Sequence, residues 1–85
     1  MTARRFRKLP VEVEAVHWDG TNYAEVLEFI GLPHPVPDVG KMSMLLKTDS
    51  GHAMVELNDW IIKGIAGEFY PCKSGIFEAT YEAVT

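Results

Sequence analysis

Apolar and polar residues alternate near the start of the chain. The segment VEVEAVHW, residues 11–18, alternates apolar and acidic positions and then places Val16 and Trp18 on the formerly acidic face. Because successive side chains of a strand point to opposite faces, this pattern predicts a β-strand. Its far end is expected to be covered on both faces or to bulge near His17.

The spacing of apolar residues then changes to that of a helix. We predict an amphipathic helix over about 22–30 that ends at Gly31. Asn22 is its predicted cap, and Glu25 stands three residues later, where a capping box places its second member. The apolar stripe of this helix consists of Tyr23, Val26, Leu27 and Ile30.

Prolines and turn residues divide the next part of the chain. Pro33, Pro35 and Pro37 predict a stiff crossover loop that is neither a helix nor a central strand. The turn-forming residues at 49–51 and 58–59 are typical of antiparallel hairpins. The strands predicted around these turns are 41–48, 52–57, 60–64 and 68–71.

The last part of the chain completes the predicted fold. KSGIF, residues 73–77, predicts one helical turn capped by Ser74, and TYEAV, residues 80–84, predicts a closing strand that pairs with the first strand. The class is therefore α+β: a small, mostly antiparallel sheet of about five to six short strands, packed with one amphipathic helix. The predicted order is β-α-β-β-β-β-(short helical turn)-β.

Length and composition fit one small globular domain over residues 1–85. Apolar residues make up 47% of the chain and charged residues 24%, which is the balance of a folded protein. Cys72 is the single cysteine, so no disulfide can form within the chain, and a reducing cytoplasm is the expected setting. We find no export signal and no apolar run long enough for a membrane anchor.

Charge is distributed unevenly along the chain. The first eight residues form a basic arm with four positive charges, whereas residues 9–85 carry four lysines against twelve acids, a net charge of −8. An acidic body repels a polyanion, which argues against nucleic-acid binding except through the arm. If the protein binds nucleic acid or a partner protein through the arm, the contacts are made by Arg4, Arg5, Arg7 and Lys8. On nucleic acid, Phe6 would stack on a base.

Candidate catalytic and metal-binding residues are scattered. Cys72 and the three histidines, His17, His34 and His52, do not have the two- to five-residue spacing of structural zinc motifs. The favoured interpretation of Cys72 is a small, half-buried thiol, although a small hydrolase that uses Cys72 or a carboxylate pair stays an alternative. We predict no catalytic residue, no metal and no cofactor.

Aromatic and cationic residues concentrate on two adjacent predicted strands. Trp60 and Lys63 lie on one strand, Tyr70 lies on the next, and Lys73 follows it. Rings that sandwich a base and lysines that neutralise phosphate would suit a nucleotide-like ligand. The alternative is that these rings only build the core, which a domain of this size needs.

Two blocks of the sequence resemble a family of short bacteriophage and prophage proteins. FRKLPVEVEAVHW, residues 6–18, is similar to F-R-K-x-P-V-x-V-E-A-x-x-W, and NDWIIKGIAGEFYPCKSGIFEATYE, residues 58–82, is similar to G-D-[WY]-I-I-K-G-x-x-G-E-F-Y-P-C-K-x-x-I-F-x-x-T-Y-E. Together they cover a little under half of the chain. Asn58 stands where the family has Gly, which predicts a left-handed turn at that position.

The resemblance implies a function class that the residues alone do not. It implies a non-enzymatic binding module in the host cytoplasm, a host-modulating or counter-defence factor that sequesters a nucleotide-like signalling ligand or binds a host protein. The alternatives are a nucleic-acid-binding accessory protein that acts through the basic arm, and a minor structural or assembly component of the virion. Self-association into a homo-oligomer is also expected, because a small domain with exposed strand edges can gain stability from it.

Overall fold

The described residues form two three-stranded antiparallel sheets and two helices. The computed structural model describes residues 2–38 and 40–84; Met1 of the predicted arm, Val39 of the predicted proline loop and Thr85 lie outside the described residues. The elements in chain order are β1 (Glu14–His17), α1 (Tyr23–Ile30), β2 (Val36–Asp38), β3 (Ser43–Thr48), β4 (Gly51–Val55), β5 (Trp60–Lys63), β6 (Phe69–Cys72) and α2 (Ser74–Thr80).

The predicted α+β class with antiparallel strands is confirmed, but the strands lie in two sheets. The first sheet has the order β1-β5-β6 and the second has the order β2-β3-β4. The predicted hairpin across residues 58–59 is wrong, because β5 pairs with β1 and β6 and not with β4. Asn58 does adopt the predicted left-handed conformation, with φ of 73°, and the chain crosses there from one sheet to the other.

The hydrophobic core lies between the two sheets and α1. Residues on β5 alternate between faces: Ile61 faces the core, and its neighbours on the strand face outward. Val26 and Ile30 of α1 cover one side of the core. Met44 and Leu46 of β3 contribute from the second sheet and are almost completely buried. Both faces of the first sheet are covered, as predicted for the end of β1.

Helix α1 forms where it was predicted, but the capping box does not. Asn22 occupies the N-cap position and its Nδ2 donates to Glu25 Oε1 at 2.6 Å, but its side chain accepts no backbone N–H of the helix, as a capping box requires. Its Oδ1 instead accepts the Asp19 N–H at 3.0 Å, and its Nδ2 donates to the His17 carbonyl at 2.7 Å. Asn22 therefore holds the turn between β1 and α1, and Gly31 ends the helix with φ of 74°.

The predicted closing strand is wrong. Residues 74–80 form α2, which is longer than the predicted single turn, and residues 81–84 form no strand. Lys73, not Ser74, occupies the N-cap position. The cause is a pair of aromatic residues four positions apart, Phe77 and Tyr81, because that spacing places both rings on one side of a helix.

The proline segment contributes one short strand at the margin of the second sheet. Pro37 lies in β2, which pairs only with β3. This agrees with the prediction that the segment is not a central strand, because an edge position tolerates the missing N–H. Neither helix in the described ranges has the length and apolar character that crossing a membrane requires.

Candidate binding groove

A stack of aromatic rings fixes α2 on the outer face of the first sheet. The Trp60 ring lies 4.2 Å from the Phe77 ring at an interplanar angle of 8°, and Phe77 lies 4.9 Å from Tyr81. His17 of β1 packs against Trp60 at 5.0 Å. We call His17, Trp60, Phe77 and Tyr81 the aromatic stack. It joins β1, β5 and α2.

Lys8 covers the free end of the aromatic stack. Its Nζ lies 4.5 Å from the centre of the Tyr81 ring and donates to the Tyr81 hydroxyl at 3.1 Å. This cation–π contact brings the base of the basic arm onto the C-terminal part of the chain. Arg4 lies over the ring of Phe6, which is almost fully exposed, and Arg5 and Arg7 are exposed as well.

An open groove of about 990 Å³ lies between the arm and α2. One wall is the N-terminal segment 8–13, and the other is α2 with the segment that follows it. Trp60 and Ala15 form part of its floor. Its walls are more apolar than polar, and their apolar part includes the exposed side chains of Leu9, Val11 and Val84. Its charged lining residues are Lys8, Glu12, Glu78 and Glu82.

The outer edge of β1 opens into this groove. Trp18 N–H donates to the Asp59 carbonyl, so the backbone groups of every second residue, including Val16, point toward β5. Those of Ala15 point the opposite way, and Ala15 lines the groove together with Val13, which directly precedes β1. Within 2–38 and 40–84 no other strand pairs with this edge. The edge strand β6, by contrast, contains Pro71.

The four residues predicted to bind a ligand are not all on one face. Trp60 and Tyr70 share the outer face of the first sheet, because both alternate with the inward-facing Ile61 and its partner Pro71. Lys63 is three positions from Trp60 and therefore lies on the opposite face, across from Glu14. Only Trp60 of the four lines the groove.

Lys73 is held in ion pairs. Its Nζ contacts Glu56 Oε2 at 2.6 Å and Asp59 Oδ1 at 3.2 Å. The hydrogen bond from Lys73, and then its charge, lower the pKa of Glu56, and the same carboxylates raise the pKa of Lys73. Asp59 is buried, so this cluster fastens the end of β6 to the segment between the two sheets.

Cys72 and the histidines are dispersed, as their spacing predicts. Cys72 is half-buried on β6 and lies across from Trp60. His17 belongs to the aromatic stack, whereas His34 and His52 are exposed. In the part of the chain that the structure describes, no three His, Cys, Asp or Glu side chains come together as metal ligands.

No protein-family model, curated protein or solved structure matches this chain. The resemblance to bacteriophage proteins therefore stays a prediction, and the function is argued from the geometry. Sequence reasoning identified Trp60 and, as part of the basic arm, Lys8, but missed the other groove residues. The signals for them were the spacing of Phe77 and Tyr81 and the apolar residues Leu9 and Val11 beside the arm.

Two neighbouring tyrosines give a pH test of the contact between α2 and the first sheet. Burial, and after it the nearby Tyr81 hydroxyl, raises the pKa of Tyr70 to about 12, whereas the hydrogen bond from Lys8 lowers the pKa of Tyr81. The raised pKa of Tyr70 contributes stability below its unfolded value of about 10, and this contribution is lost as pH rises through about 12. The lowered pKa of Tyr81 has the opposite effect on stability: its contribution is present above the unfolded value of about 10 and is lost as pH falls.

We expect the ultraviolet titration of tyrosinate to show an early phase from Tyr81 and a late phase near pH 12 from Tyr70. Tyr81→Phe should remove the early phase and move the late phase to lower pH, because Tyr70 then loses its neighbour's contribution. Tyr70→Phe should remove the late phase and move the early phase to higher pH, because Tyr81 then loses the hydrogen bond with Tyr70 that helps to lower its pKa. A late phase that stays in place in Tyr81→Phe would show that the two rings do not interact.

Proposed function

We propose that this protein is a non-enzymatic binding module that captures an extended segment of a host protein. The observation that carries the proposal is the open edge of β1 beside an apolar groove. An extended peptide can add to such an edge as a new strand, with backbone hydrogen bonds giving affinity and side-chain pockets giving specificity. Here the new strand would bond to Val13 and Ala15 and lie between β1 and α2.

The lining of the groove defines the preferred segment. Leu9, Val11 and Val84 offer apolar contacts, so every second residue of the segment should be apolar. The groove is lined by three carboxylates and one lysine. This excess of negative charge favours basic residues at the ends of the segment. The Trp60 Nε1 is buried and has no acceptor among the described residues, so a carbonyl of the segment that reached it would be stabilised.

A peptide fits this geometry better than a nucleotide does. The faces of Trp60 and Phe77 are occupied within the aromatic stack, and Lys8 covers the ring of Tyr81. Lys73 is paired with carboxylates, and Lys63 lies on the other face of the sheet. That the bound protein belongs to a bacterial host rests on the resemblance to bacteriophage proteins. The nucleic-acid and virion alternatives remain predictions.

The test is selection from a displayed library of peptides tiled across a bacterial proteome. We expect enrichment of segments with alternating apolar residues and basic ends. The double variant Val11→Asp/Val84→Asp should weaken binding of the best peptide at least tenfold, because both side chains are exposed in the groove walls and a charge there must be desolvated. Fluorescence polarisation measures the loss.

Ile76→Asp is the matched control, since Ile76 is an exposed apolar residue of α2 that does not line the groove. Bound peptide should slow amide exchange at Val13 and Ala15 while leaving Val16, which already faces β5, unchanged. Three results would refute the proposal: no enriched peptide, equal affinity for the Val11→Asp/Val84→Asp variant, or no protection at Ala15.

A further inference from the structure

The outer face of the second sheet carries a row of exposed apolar side chains. Val36 pairs with Leu45, and Leu45 pairs with Met54, so the three side chains lie side by side across β2, β3 and β4. They are 64%, 38% and 48% exposed, respectively. On the other face of the same strands, Met44 and Val55 are completely buried. We call Val36, Leu45 and Met54 the apolar row.

Charges of opposite sign lie on the two sides of the apolar row. Lys47 and His52 are cross-strand partners and lie two residues beyond Leu45 and Met54 on one side. Asp38 lies on the other side, two residues from Val36, and is opposite Ser43. All three flanking side chains, Asp38, Lys47 and His52, are exposed, and none has an ion-pair partner in the described part of the chain.

We propose that the apolar row is the interface of a homodimer, in which the second sheets of two copies pack face to face. Consider a two-fold axis that lies between the two sheets, passes over Leu45 and runs perpendicular to the strands. This axis places the apolar row of one chain against the apolar row of the other. It also brings Lys47 of each chain close to Asp38 of the other, so that two pairs of opposite charges form. A two-fold axis along the strands would instead place Lys47 over Lys47, which is repulsive.

The proposed dimer does not use the groove. The groove lies on the outer face of the first sheet, and the core separates that face from the apolar row. Two joined chains would therefore present two grooves on opposite outer sides, and a partner with two suitable segments would gain avidity. A face of three short strands is about 15 Å by 20 Å, so the association should be reversible. This inference does not depend on the peptide proposal.

Sedimentation velocity over a range of concentrations tests the dimer. We expect the wild-type protein to change from monomer to dimer as its concentration rises. Leu45→Asp should weaken the dimer at least tenfold, because it places two charges at the centre of the interface. Ile76→Asp, on α2, should leave dimerisation unchanged, and thermal unfolding should show that both variants fold.

A charge exchange tests the orientation. Lys47→Glu alone and Asp38→Lys alone should each dimerise weakly, because like charges then meet at both ends of the interface. An equimolar mixture of the two variants should dimerise again, since each pair regains opposite charges. A wild-type monomer at all concentrations, an unaffected dimer in Leu45→Asp, or a mixture no better than its components would overturn the proposal. Peptide binding, measured separately, would be unaffected.

Discussion

Replacing Trp60 by alanine is expected to lower the free energy of unfolding by about 2–4 kcal/mol. Trp60 is half-buried, so the loss should fall below that of a fully enclosed tryptophan. Its ring lies between His17 and Phe77, and each aromatic contact adds about 0.5–1.5 kcal/mol beyond the buried area. Without the Trp60 ring, α2 would lose its central contact with the first sheet.

Urea unfolding followed by circular dichroism measures the loss of stability, and amide exchange identifies the part that loosens. We expect the Tyr81 amide, which donates to the Phe77 carbonyl in the last turn of α2, to exchange much faster in Trp60→Ala. Trp60→Phe, which keeps an aromatic ring in the stack, should lose less than half as much. Ile65→Ala, at an exposed position, serves as the control.

Unchanged protection of α2 in Trp60→Ala would mean that the helix is held by other contacts. Peptide binding should be lost as well, because Trp60 forms part of the groove floor. The Val11→Asp/Val84→Asp variant distinguishes the two causes. It should lose binding without losing stability, since both of its side chains are exposed.

Local pattern was sufficient to predict α1 and the strands β1, β3, β4, β5 and β6, whereas β2, the helix in place of the closing strand and the arrangement of the strands were not predicted. Alternation along β5 shows that Ile61 faces inward, yet it carries no information about which strand lies beside β5. That pairing is set by contacts with β1, more than forty residues earlier in the chain. The crossing between the sheets depends on Asp59, and the burial of Asp59 is set by residues that are distant in the chain. The local sequence does not show this burial, so residues 58–59 resembled an ordinary hairpin turn.

The candidate site shows the same division between local and tertiary information. The two-residue period of a strand was enough to place Lys63 and Trp60 on opposite faces, so their separation could have been predicted. The helical spacing of Phe77 and Tyr81 likewise predicts α2 in place of a closing strand. The ion pairs of Lys73 could not be predicted, because Glu56 and Asp59 are far from it in the chain.

Asp59→Ala is expected to lower the free energy of unfolding by about 1–3 kcal/mol. The Asp59 carboxylate is buried, and its Oδ2 accepts the Glu56 N–H at 2.9 Å, while its Oδ1 contacts Lys73 Nζ. Alanine would leave the Glu56 N–H without an acceptor in the segment that links the two sheets. The loss is limited because Lys73 keeps its exposed partner Glu56.

Two further variants separate the hydrogen bond from the charge. Asp59→Asn keeps an oxygen for the Glu56 N–H and should recover part of the lost stability, whereas Lys73→Met leaves the buried carboxylate without its cation. The double variant Asp59→Ala/Lys73→Met should be more stable than the sum of the single losses predicts, because the two side chains interact directly. If the losses of stability in the two single variants simply add in the double variant, the ion pair contributes nothing to stability. Asp59 would then stabilise the fold only by accepting the hydrogen bond from the Glu56 N–H.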